Sequence, residues 1–344
     1  MKKKQMTWLI IAAIIFVAVG IISVVTNTIS GLFTSTVNDS GLGSTIMSEL
    51  YGATDSYELS DMPMDDFIAV VSVEGTIQAS SSSSGVYGSS SGYDHDFLMS
   101  YVDALIDNEY NKGIILRMDT PGGAVYEADE LYLKLEEYKE KTHRPIWAYM
   151  ESYCCSGGVY IASAADEQYA NRNSTTGSIG VIISNYDMSG LYEKLGIKEV
   201  NIVSAENKDM GSSGKEMTAE QRAIYQSVVD EAYEQFVDVV SKGRNMSVDE
   251  VKKLADGRIY TARQAVDNGL IDGIKGSEEF DQYVRKQSGV DEFYEPVQIE
   301  TGYLSSIFGM MNDSKEKSEA EVLVDLMNKL GNGVPMYYAN VYGK

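Results

Sequence analysis

The segment Cys154–Tyr160 (CCSGGVY) holds the first candidate for catalytic chemistry, the hydroxyl of Ser156. Small residues crowd around this serine, which stands between a predicted strand and a predicted helix. A tight turn in that place exposes a hydroxyl and directs the following amide outward, as in many hydrolases. The residues do not form Gly-x-Ser-x-Gly, which argues against an α/β-hydrolase. Taken alone, the segment is better explained as the close-packed start of a helix.

Cys155 is a rival nucleophile in the same segment. A cysteine becomes a nucleophile only where a nearby cation or a helix terminus stabilises its thiolate. Two adjacent cysteines are more often small buried hydrophobic residues, and a disulfide between neighbours would be strained. Because Cys154 and Cys155 are the only cysteines in the sequence, no disulfide framework can be built from them.

A serine nucleophile needs a general base, and the sequence offers only two histidines. His143 lies in the turn before the strand that leads to Ser156, so it should approach that strand from the end opposite the serine. His95 lies beside two aspartates and a serine-rich loop. We expect both to be surface histidines.

Lysine is the remaining candidate for the base. A free lysine titrates near ~10.4, but burial and neighbouring dipoles lower the pKa of the amine. Ser-Lys pairs are a known variant of the catalytic triad. Lys208 follows a predicted strand and precedes a Gly/Ser loop, unlike lysines of charged helical stretches such as Lys134 and Lys252. Spacing alone leaves Lys208 as one candidate among several.

The segment Asp119–Gly123 (DTPGG) is a second candidate site, for an anion. Successive glycines let the backbone turn sharply and present bare N–H groups. At the start of a helix such groups stabilise negative charge. An ordinary glycine turn explains the same residues equally well.

The elements that must position these segments alternate between strands and helices. Strands are predicted at Phe67–Val73, Gly113–Met118, Ile146–Met150, Val181–Ser184 and Val200–Ser204. Helices are predicted at Phe97–Asn108, Ala124–Lys141 and Gly158–Ala165, with capping boxes that begin later helices at Thr218 and Ser247. The helix after Thr218 is expected to bury Ile224, Val228, Ala232, Phe236 and Val239 or Val240. This alternation predicts an α/β fold with a largely parallel sheet covered by helices.

Residues 6–27 contain no charged side chain and form an apolar run long enough to cross a membrane as a helix, which takes about 20 residues. Lys2–Lys4 precede the run, and no further Lys or Arg follows until Lys112. Because a positive flank stays in the cytoplasm, we expect a single-pass anchor in the cell membrane. Residues 1–5 would be cytoplasmic and the catalytic domain extracellular. A cleaved signal peptide is the alternative, although no clear cleavage site follows the run.

Composition limits the classes of partner and cofactor. The 344 residues include 28 basic and 51 acidic side chains, for a formal charge of −23. A nucleic-acid-binding protein needs a basic surface, so we expect no nucleic-acid partner. A zinc site needs about three or four Cys or His ligands in suitable geometry, so we expect neither a metal nor another cofactor.

Several of these motifs resemble those of one family when they are taken together. The segments MDTPGG, CCSGGVYIASAAD, ENKD and DGRIYTARQAVDNGLID stand in this order within residues 67–275. The ordered set resembles the bacterial signal peptide peptidase A family, in its short, single-domain form. The resemblance implies an α/β fold of the Clp-protease/crotonase type, a spiral of ββα units.

The resemblance also implies roles for individual residues. Ser156 would be the nucleophile and Lys208 the general base, while Ser178 would hydrogen-bond the lysine amine and orient it. The backbone N–H groups of Gly123 and Gly157 would form the oxyanion hole.

Two departures from the family pattern stand near these residues. Asp119-Thr120 replaces the usual Asn-Ser, so Thr120 keeps the hydroxyl while Asp119 adds a charge near the substrate groove. Cys154 and Cys155 replace small Ala-like residues. Neither departure removes a catalytic group, but both could alter the side-chain preference of the groove.

The resemblance further implies homo-oligomeric rings in which Ser156 and Lys208 come from different subunits. Substrates would be extended apolar peptides, chiefly remnant signal peptides in the membrane. Two alternatives stay open: a crotonase-like enzyme that acts on an acyl thioester, and a catalytically idle membrane scaffold. An exported, acidic chain makes coenzyme A an unfavourable ligand for the first of these.

The sequence therefore predicts five segments. They are a cytoplasmic N-terminus 1–5, an anchor 6–27, a stalk or linker 28–65, a serine peptidase domain 66–290 and a C-terminal extension 291–344. The tail 331–344 is apolar and aromatic, so it could dock in the groove as an extended strand. A subunit contact or an unattached tail is the favoured interpretation.

Overall fold

The computed structural model describes residues 56–57, 62–79, 92–296, 298–299 and 336–338. The chain divides into two units, one made of Met1–Ser56 with Ile299–Ser314 and the other of Tyr57–Gln298 with Lys315–Lys344. The fold below is that of the second unit. The predicted anchor 6–27 lies outside the described residues. None of the helices in the described part of the chain is both long and apolar enough to span a membrane.

Strands and helices alternate along the described chain, and all of them lie within the second unit except Ser56 of β1 and Ile299 of β11. The strands are β1 Ser56–Tyr57, β2 Phe67–Glu74, β3 Asn111–Thr120, β4 Gly122–Ala124, β5 Ile146–Cys155, β6 Glu167–Ala170, β7 Thr175–Gly177, β8 Ile259–Thr261, β9 Gly273–Ile274, β10 Phe293–Tyr294, β11 Gln298–Ile299 and β12 Met336–Tyr338. The helices are α1 His95–Asp107, α2 Val125–Thr142, α3 Gly157–Ala162, α4 Ser189–Leu195, α5 Ala219–Arg244, α6 Val248–Leu254, α7 Ala262–Asp267 and α8 Ser277–Ser288. A short 3₁₀ helix spans Glu206–Asp209.

Within the described residues, eight strands form one mixed sheet in which parallel pairs predominate. The order is β10-β2-β3-β5-β6-β9, and β7 pairs with both β5 and β8. Each pair is parallel except β7–β8. The prediction of an α/β fold with a largely parallel sheet is confirmed. Strand β10, just beyond the predicted domain limit at residue 290, pairs with β2 at the sheet edge.

Alternate side chains of the central strands point to opposite faces of the sheet, and both faces are covered. On one face, Val71 and Leu116 belong to the main core, which α1, α2, α3 and α5 complete. On the other face, Ile115 and Trp147 pack with Phe280 of α8. Each such side chain, when fully buried, stabilises the fold by about 1.5–3 kcal/mol.

Strand β5 changes partners along its length, and this change positions the segment that follows it. Residues Trp147–Met150 pair with β6, whereas Tyr153–Cys155 pair with β7. The register against β3 shifts at the same place. Because of the second pairing, β5 continues beyond the predicted strand, which ended at Met150, and leads directly to Ser156.

Both predicted capping boxes are present. The Thr218 hydroxyl accepts the N–H of Gln221, whose side chain accepts the N–H of Thr218. Ser247 and Glu250 make the same reciprocal pair. These bonds satisfy N–H groups that have no partner within the first turns of α5 and α6.

Residues 181–217, which we call the arm, lack the strands that the sequence predicts there. Neither Val181–Ser184 nor Val200–Ser204 is a strand, and the arm instead contains α4 and the 3₁₀ helix. A strand needs a neighbouring strand to bind its N–H and C=O groups, and these two segments join none of the sheets in the described structure. The apolar side chains of the second segment are exposed instead, Val200 by 80% and Ile202 by 99%, whereas Val181 of the first is partly buried against the main core.

The first half of α5, which follows the arm, is more exposed than the sequence predicts. Val228 is 41% exposed, whereas Phe236 and Val240 are fully buried as expected. The arm and this half-helix together present an apolar surface that the described residues of the chain leave uncovered. Its members include Ile182, Leu191, Leu195, Ile197, Val200, Ile202, Val203 and Val228.

Candidate active site

Ser156 occupies a tight turn between β5 and α3. Its backbone has φ 54° and ψ −114°, a conformation that residues other than glycine rarely adopt. The Ser156 N–H donates to the carbonyl of Gly177 at 2.8 Å, and the Ser156 carbonyl accepts the N–H of Tyr160 at 3.0 Å. Such a backbone costs on the order of 1–3 kcal/mol and persists only where its surroundings hold it.

The Ser156 hydroxyl is buried and unpaired. The residue is 0% exposed, and its Oγ has no hydrogen-bond partner among the described residues. A buried polar atom of this kind costs about 1–3 kcal/mol. Unpaired groups of this kind are rare in folded proteins and are often retained for chemistry.

Ser178 lies beside this turn because β5 and β7 are paired. Cys155 faces Gly177 in the register, so the residues that follow them, Ser156 and Ser178, leave adjacent strands at the same end. Ser178 also has a positive φ of 52° and is 8% exposed. Its N–H donates to the carbonyl of Arg258 at 2.7 Å. The structure therefore brings Ser178 next to Ser156.

Gly123 presents its N–H at the edge of β4 that faces away from Ile77. On the other edge, the Ile77 N–H donates to the carbonyl of Gly122 at 3.0 Å, and the Ala124 N–H donates to the carbonyl of Ile77 at 2.8 Å. Because N–H groups alternate in direction along an extended chain, the Gly123 N–H points away from Ile77. A Cβ at Gly123 would overlap the backbone of Ile77, so only glycine fits this place.

Gly157 is the first residue of α3, directly after Ser156. The N–H groups of the first helical turn have no acceptor within the helix and are therefore available to another group. The next residue, Gly158, packs so closely that an added Cβ would lie 2.7 Å from the Thr120 methyl. This contact joins the turn at Ser156 to the end of β3.

The tail contributes a strand to the same edge. Residues Met336–Tyr338 form β12, which pairs antiparallel with β4 and places Tyr337 opposite Gly123. The favoured interpretation from sequence, a subunit contact or an unattached tail, is wrong for these three residues. Docking as an extended strand, the weaker alternative, describes them correctly.

Lys208 lies in the 3₁₀ helix of the arm and is exposed. No hydrogen bond or ion pair of its side chain joins it to Ser156, to Ser178 or to a carboxylate within the described chain. Its neighbour Asp209, in contrast, forms an ion pair with Lys215 at 2.5 Å. Within the described residues of a single copy, no hydrogen bond therefore connects the predicted base to the predicted nucleophile.

The two cysteines before Ser156 are buried, as the sequence suggests. Burial raises the pKa of the Cys155 thiol to about 12, and the pKa of Cys154 is raised too, chiefly by burial and then by Cys155 and Asp119. The Cys155 Sγ also contacts the carbonyl oxygen of Thr175 at 3.5 Å. Both side chains are therefore thiols near neutral pH, which does not suit a cysteine nucleophile.

The two histidines lie in different surroundings. His143 is exposed at the C-terminus of α2, at the end of β5 opposite Ser156, as predicted. His95, in contrast, is only 6% exposed, so the prediction of a surface residue is wrong there. Its ring nitrogens hydrogen-bond the Tyr93 hydroxyl at 2.7 Å and the Glu130 carboxylate at 3.0 Å. Packing of α1 on α2, which local sequence does not reveal, buries it.

The carboxylate of Asp119 binds a backbone N–H group. Its Oδ1 accepts the N–H of Tyr153 at 3.0 Å, in the irregular part of β5. An asparagine oxygen could accept the same bond, so this departure from the family pattern keeps the contact. The added charge also affects Glu151. The pKa of the Glu151 carboxyl is raised, chiefly by burial. Arg117 lowers this pKa, whereas the negative charges of Asp119 and Glu74 raise it further.

Ile77 and the strand β12 are parts of this site that sequence reasoning missed or ranked low. Ile77 acts through its backbone, which no residue type signals, although a Gly-Thr-Ile turn after β2 marks the place. Among the described residues, no group of three or more His, Cys, Asp or Glu side chains is placed to hold a metal ion.

The chain matches a known family over the region that carries the turn. Residues 138–291 match the model of Peptidase family S49. The match includes Ser156, Ser178 and Lys208 but begins after Gly123.

Relatives extend the match over most of the chain. A signal peptide peptidase SppA of Enterococcus faecium is 35% identical over 298 residues, which cover 84% of this chain and 86% of the relative. Protease 4 of Haemophilus influenzae is 32% identical over 60% of this chain and 32% of its own length. The capsid assembly protease C of Escherichia phage lambda is 28% identical over 61% of this chain and 47% of its own length. The chain is therefore a serine peptidase of family S49.

Proposed function

We propose that this chain is a membrane-anchored serine endopeptidase that cleaves extended apolar peptides, chiefly remnant signal peptides. Ser156 is the nucleophile and Lys208 the general base. The observation that carries the proposal is the buried Ser156 Oγ, which has no hydrogen-bond partner among the described residues and sits at a strained turn. A fold keeps such an unfavourable hydroxyl where a reaction uses it.

The neighbours of Ser156 suit acyl transfer. The Ser156 Oγ attacks the peptide carbonyl carbon while its proton passes to the neutral amine of Lys208. The N–H groups of Gly123 and Gly157 hold the resulting oxyanion, each worth about 3–4 kcal/mol in comparable enzymes. Lys208 then protonates the leaving amine as the C–N bond breaks. A water molecule, deprotonated by Lys208, releases the acyl group from Ser156.

A second subunit supplies Lys208 in this proposal. A lysine acts as a base only as the free amine, which burial favours. Among the described residues of the single chain, Lys208 is exposed, while the Ser156 hydroxyl is buried without a partner. Insertion of the arm beside the Ser156 turn of a neighbouring copy would satisfy both groups, with Ser178 as the hydrogen-bond partner of the amine. Repetition of this contact around an axis gives the homo-oligomeric ring.

The exposed surface of the arm supports this assembly. Ile202 is 99% exposed and Val200 80% exposed, which is unusual for β-branched apolar residues grouped on one segment. Apolar patches of this kind mark surfaces that bind another protein. The proposed occupant is a second copy, because Lys208 lies on the same segment.

The same proposal assigns the sheet and its helices to the Clp-protease/crotonase-type spiral of ββα units.

The substrate binds as a strand along the edge of β4 that faces away from Ile77, in place of the tail. This edge presents the Gly123 N–H and already accepts the backbone of Met336–Tyr338. Addition of a strand uses main-chain hydrogen bonds, which any extended peptide offers. The carbonyl to be cleaved would then lie at Gly123, beside the Ser156 turn.

Alanine at either member of the dyad tests the proposed mechanism. We expect Ser156→Ala and Lys208→Ala each to lower kcat for a fluorogenic peptide by on the order of 10⁴-fold or more, since each removes a group that acts on the reacting atoms. Lys286→Ala, at an exposed lysine of α8, is the matched control and should cleave at the wild-type rate. A wild-type rate in either dyad variant contradicts the mechanism.

Removal of the tail tests the substrate edge. Because the tail competes from within the chain, deletion of residues 331–344 should lower the KM for a peptide by roughly ten-fold and leave kcat unchanged. Tyr337→Pro should do the same, since proline cannot donate a backbone hydrogen bond. Deletion of residues 341–344 alone, beyond the paired strand, is the control. If KM is the same with and without the tail, peptides do not bind at this edge.

The apolar run 6–27 supports a single-pass anchor in the cell membrane with the peptidase domain outside. We expect the full chain to remain in the membrane fraction after an alkaline carbonate wash, and a variant without residues 2–27 to be released from it. Protease added to intact cells should degrade the domain but not cytoplasmic markers. Recovery of a shortened, soluble chain from unmodified cells would instead indicate a cleaved signal peptide.

A further inference from the structure

Thr120, the last residue of β3, is fully buried and makes two hydrogen bonds through one hydroxyl. Its Oγ1 donates to the carbonyl of Gly75 at 2.5 Å and accepts the N–H of Gly122 at 3.1 Å. Gly75 directly follows β2, and Gly122 begins β4. A single side chain thus joins the ends of two strands to the start of a third.

These two bonds control the strand that presents the Gly123 N–H. Pro121 has no N–H to donate, and Gly122, with φ +98°, has no side chain to restrict its backbone. The local residues between β3 and β4 therefore do little to fix the direction of the chain. The Thr120 hydroxyl binds the first N–H after the proline. Its bond to Gly75 also holds the segment that brings Ile77 against β4. The Gly75 N–H also donates to the carbonyl of Asp119 at 3.0 Å, so this hydroxyl contributes to holding both neighbours that set the direction of the Gly123 N–H.

The methyl group of Thr120 faces the other half of the site. A Cβ added to Gly158 would lie 2.7 Å from the Thr120 Cγ2, so the methyl packs directly on the backbone of α3. Thr120 also faces Cys154 in the register of β3 and β5. The side chain thus sits between the strand that carries the Gly123 N–H and the helix whose first N–H belongs to Gly157.

We propose that Thr120 is a positioning residue that aligns the two N–H groups of the oxyanion hole. Its hydroxyl sets the direction of the Gly123 N–H, and its methyl sets the spacing between β4 and α3. The inference rests on the proposed function, because it gives Thr120 a purpose only if Gly123 and Gly157 bind the oxyanion. Donors in such a site act where charge develops in the transition state, so misalignment affects kcat more than KM.

Two conservative variants of the full-length enzyme separate the hydroxyl from the methyl. Thr120→Val keeps the shape and loses both hydrogen bonds, and we expect kcat for a fluorogenic peptide to fall by roughly 10–100-fold while KM changes by less than about two-fold. Thr120→Ser keeps the hydroxyl, and its kcat should stay within about five-fold of wild type. Should Thr120→Val not fold, Thr120→Ala, which also lacks the hydroxyl, takes its place.

Tyr138→Phe is the matched control for the loss of a buried hydroxyl. The Tyr138 hydroxyl is buried and donates to Asn111, the first residue of β3, at the end of the strand opposite Thr120. Both this variant and Thr120→Val should lower the midpoint of thermal unfolding, because each leaves buried partners unpaired. Only Thr120→Val should lower kcat at a temperature well below both midpoints.

Two results would overturn the inference. One is a wild-type kcat for Thr120→Val, and the other is a kcat for Thr120→Ser as low as that of the valine variant. Ser156→Ala, assayed in the same experiment, shows whether an error lies in the role of Thr120 or in the proposed function. If Ser156→Ala is inactive while Thr120→Val is fully active, only the role of Thr120 is wrong.

Discussion

The structure depends on one constraint at the end of β5, where the backbone turns at Ser156 with φ 54° and buries the hydroxyl without a partner among the described residues. Both features are unfavourable, by on the order of 1–3 kcal/mol each, so the surrounding structure must impose them. The contacts that hold the turn in place are mostly hydrogen bonds of the backbone. The carbonyl of Gly177 accepts the N–H of Ser156, and this bond exists because β5 leaves β6 and pairs with β7. The central sheet thus fixes the turn at Ser156 through a change of strand partner.

The same constraint explains why the glycines around the turn are so closely packed. Gly123 lies against the backbone of Ile77, and Gly158 against the Thr120 methyl. Close approach of this kind brings β4, α3 and the end of β3 together around a small volume. The arm carries Lys208 and exposed apolar side chains such as Ile202, and the proposed shared dyad assigns it to a neighbouring copy.

Much of the sheet could be predicted from local pattern, and the site only in part. Strand β2 and helix α2 follow from apolar periodicity, which is a property of each segment alone. The arm could not be predicted, because a β-branched run such as Val200–Ser204 says nothing about whether a neighbouring strand is available. His95 is buried by residues distant in sequence, which its acidic neighbours do not reveal. Ser156 stands out by its local turn, whereas Lys208 was singled out only by family resemblance, because no local pattern links it to the serine.

In the proposed mechanism, the buried Ser156 receives its base from a neighbouring copy of the chain. The most direct measurement is the peptidase activity of a mixed assembly, made by co-expression of equal amounts of full-length Ser156→Ala and Lys208→Ala chains with different tags and purification through both tags. If the dyad is shared, one junction in four pairs an intact serine with an intact lysine, so the assembly should recover about one quarter of the wild-type activity. If both residues act within one chain, every site lacks a member of the dyad. Activity of the mixed assembly no higher than that of the separate variants would contradict the account.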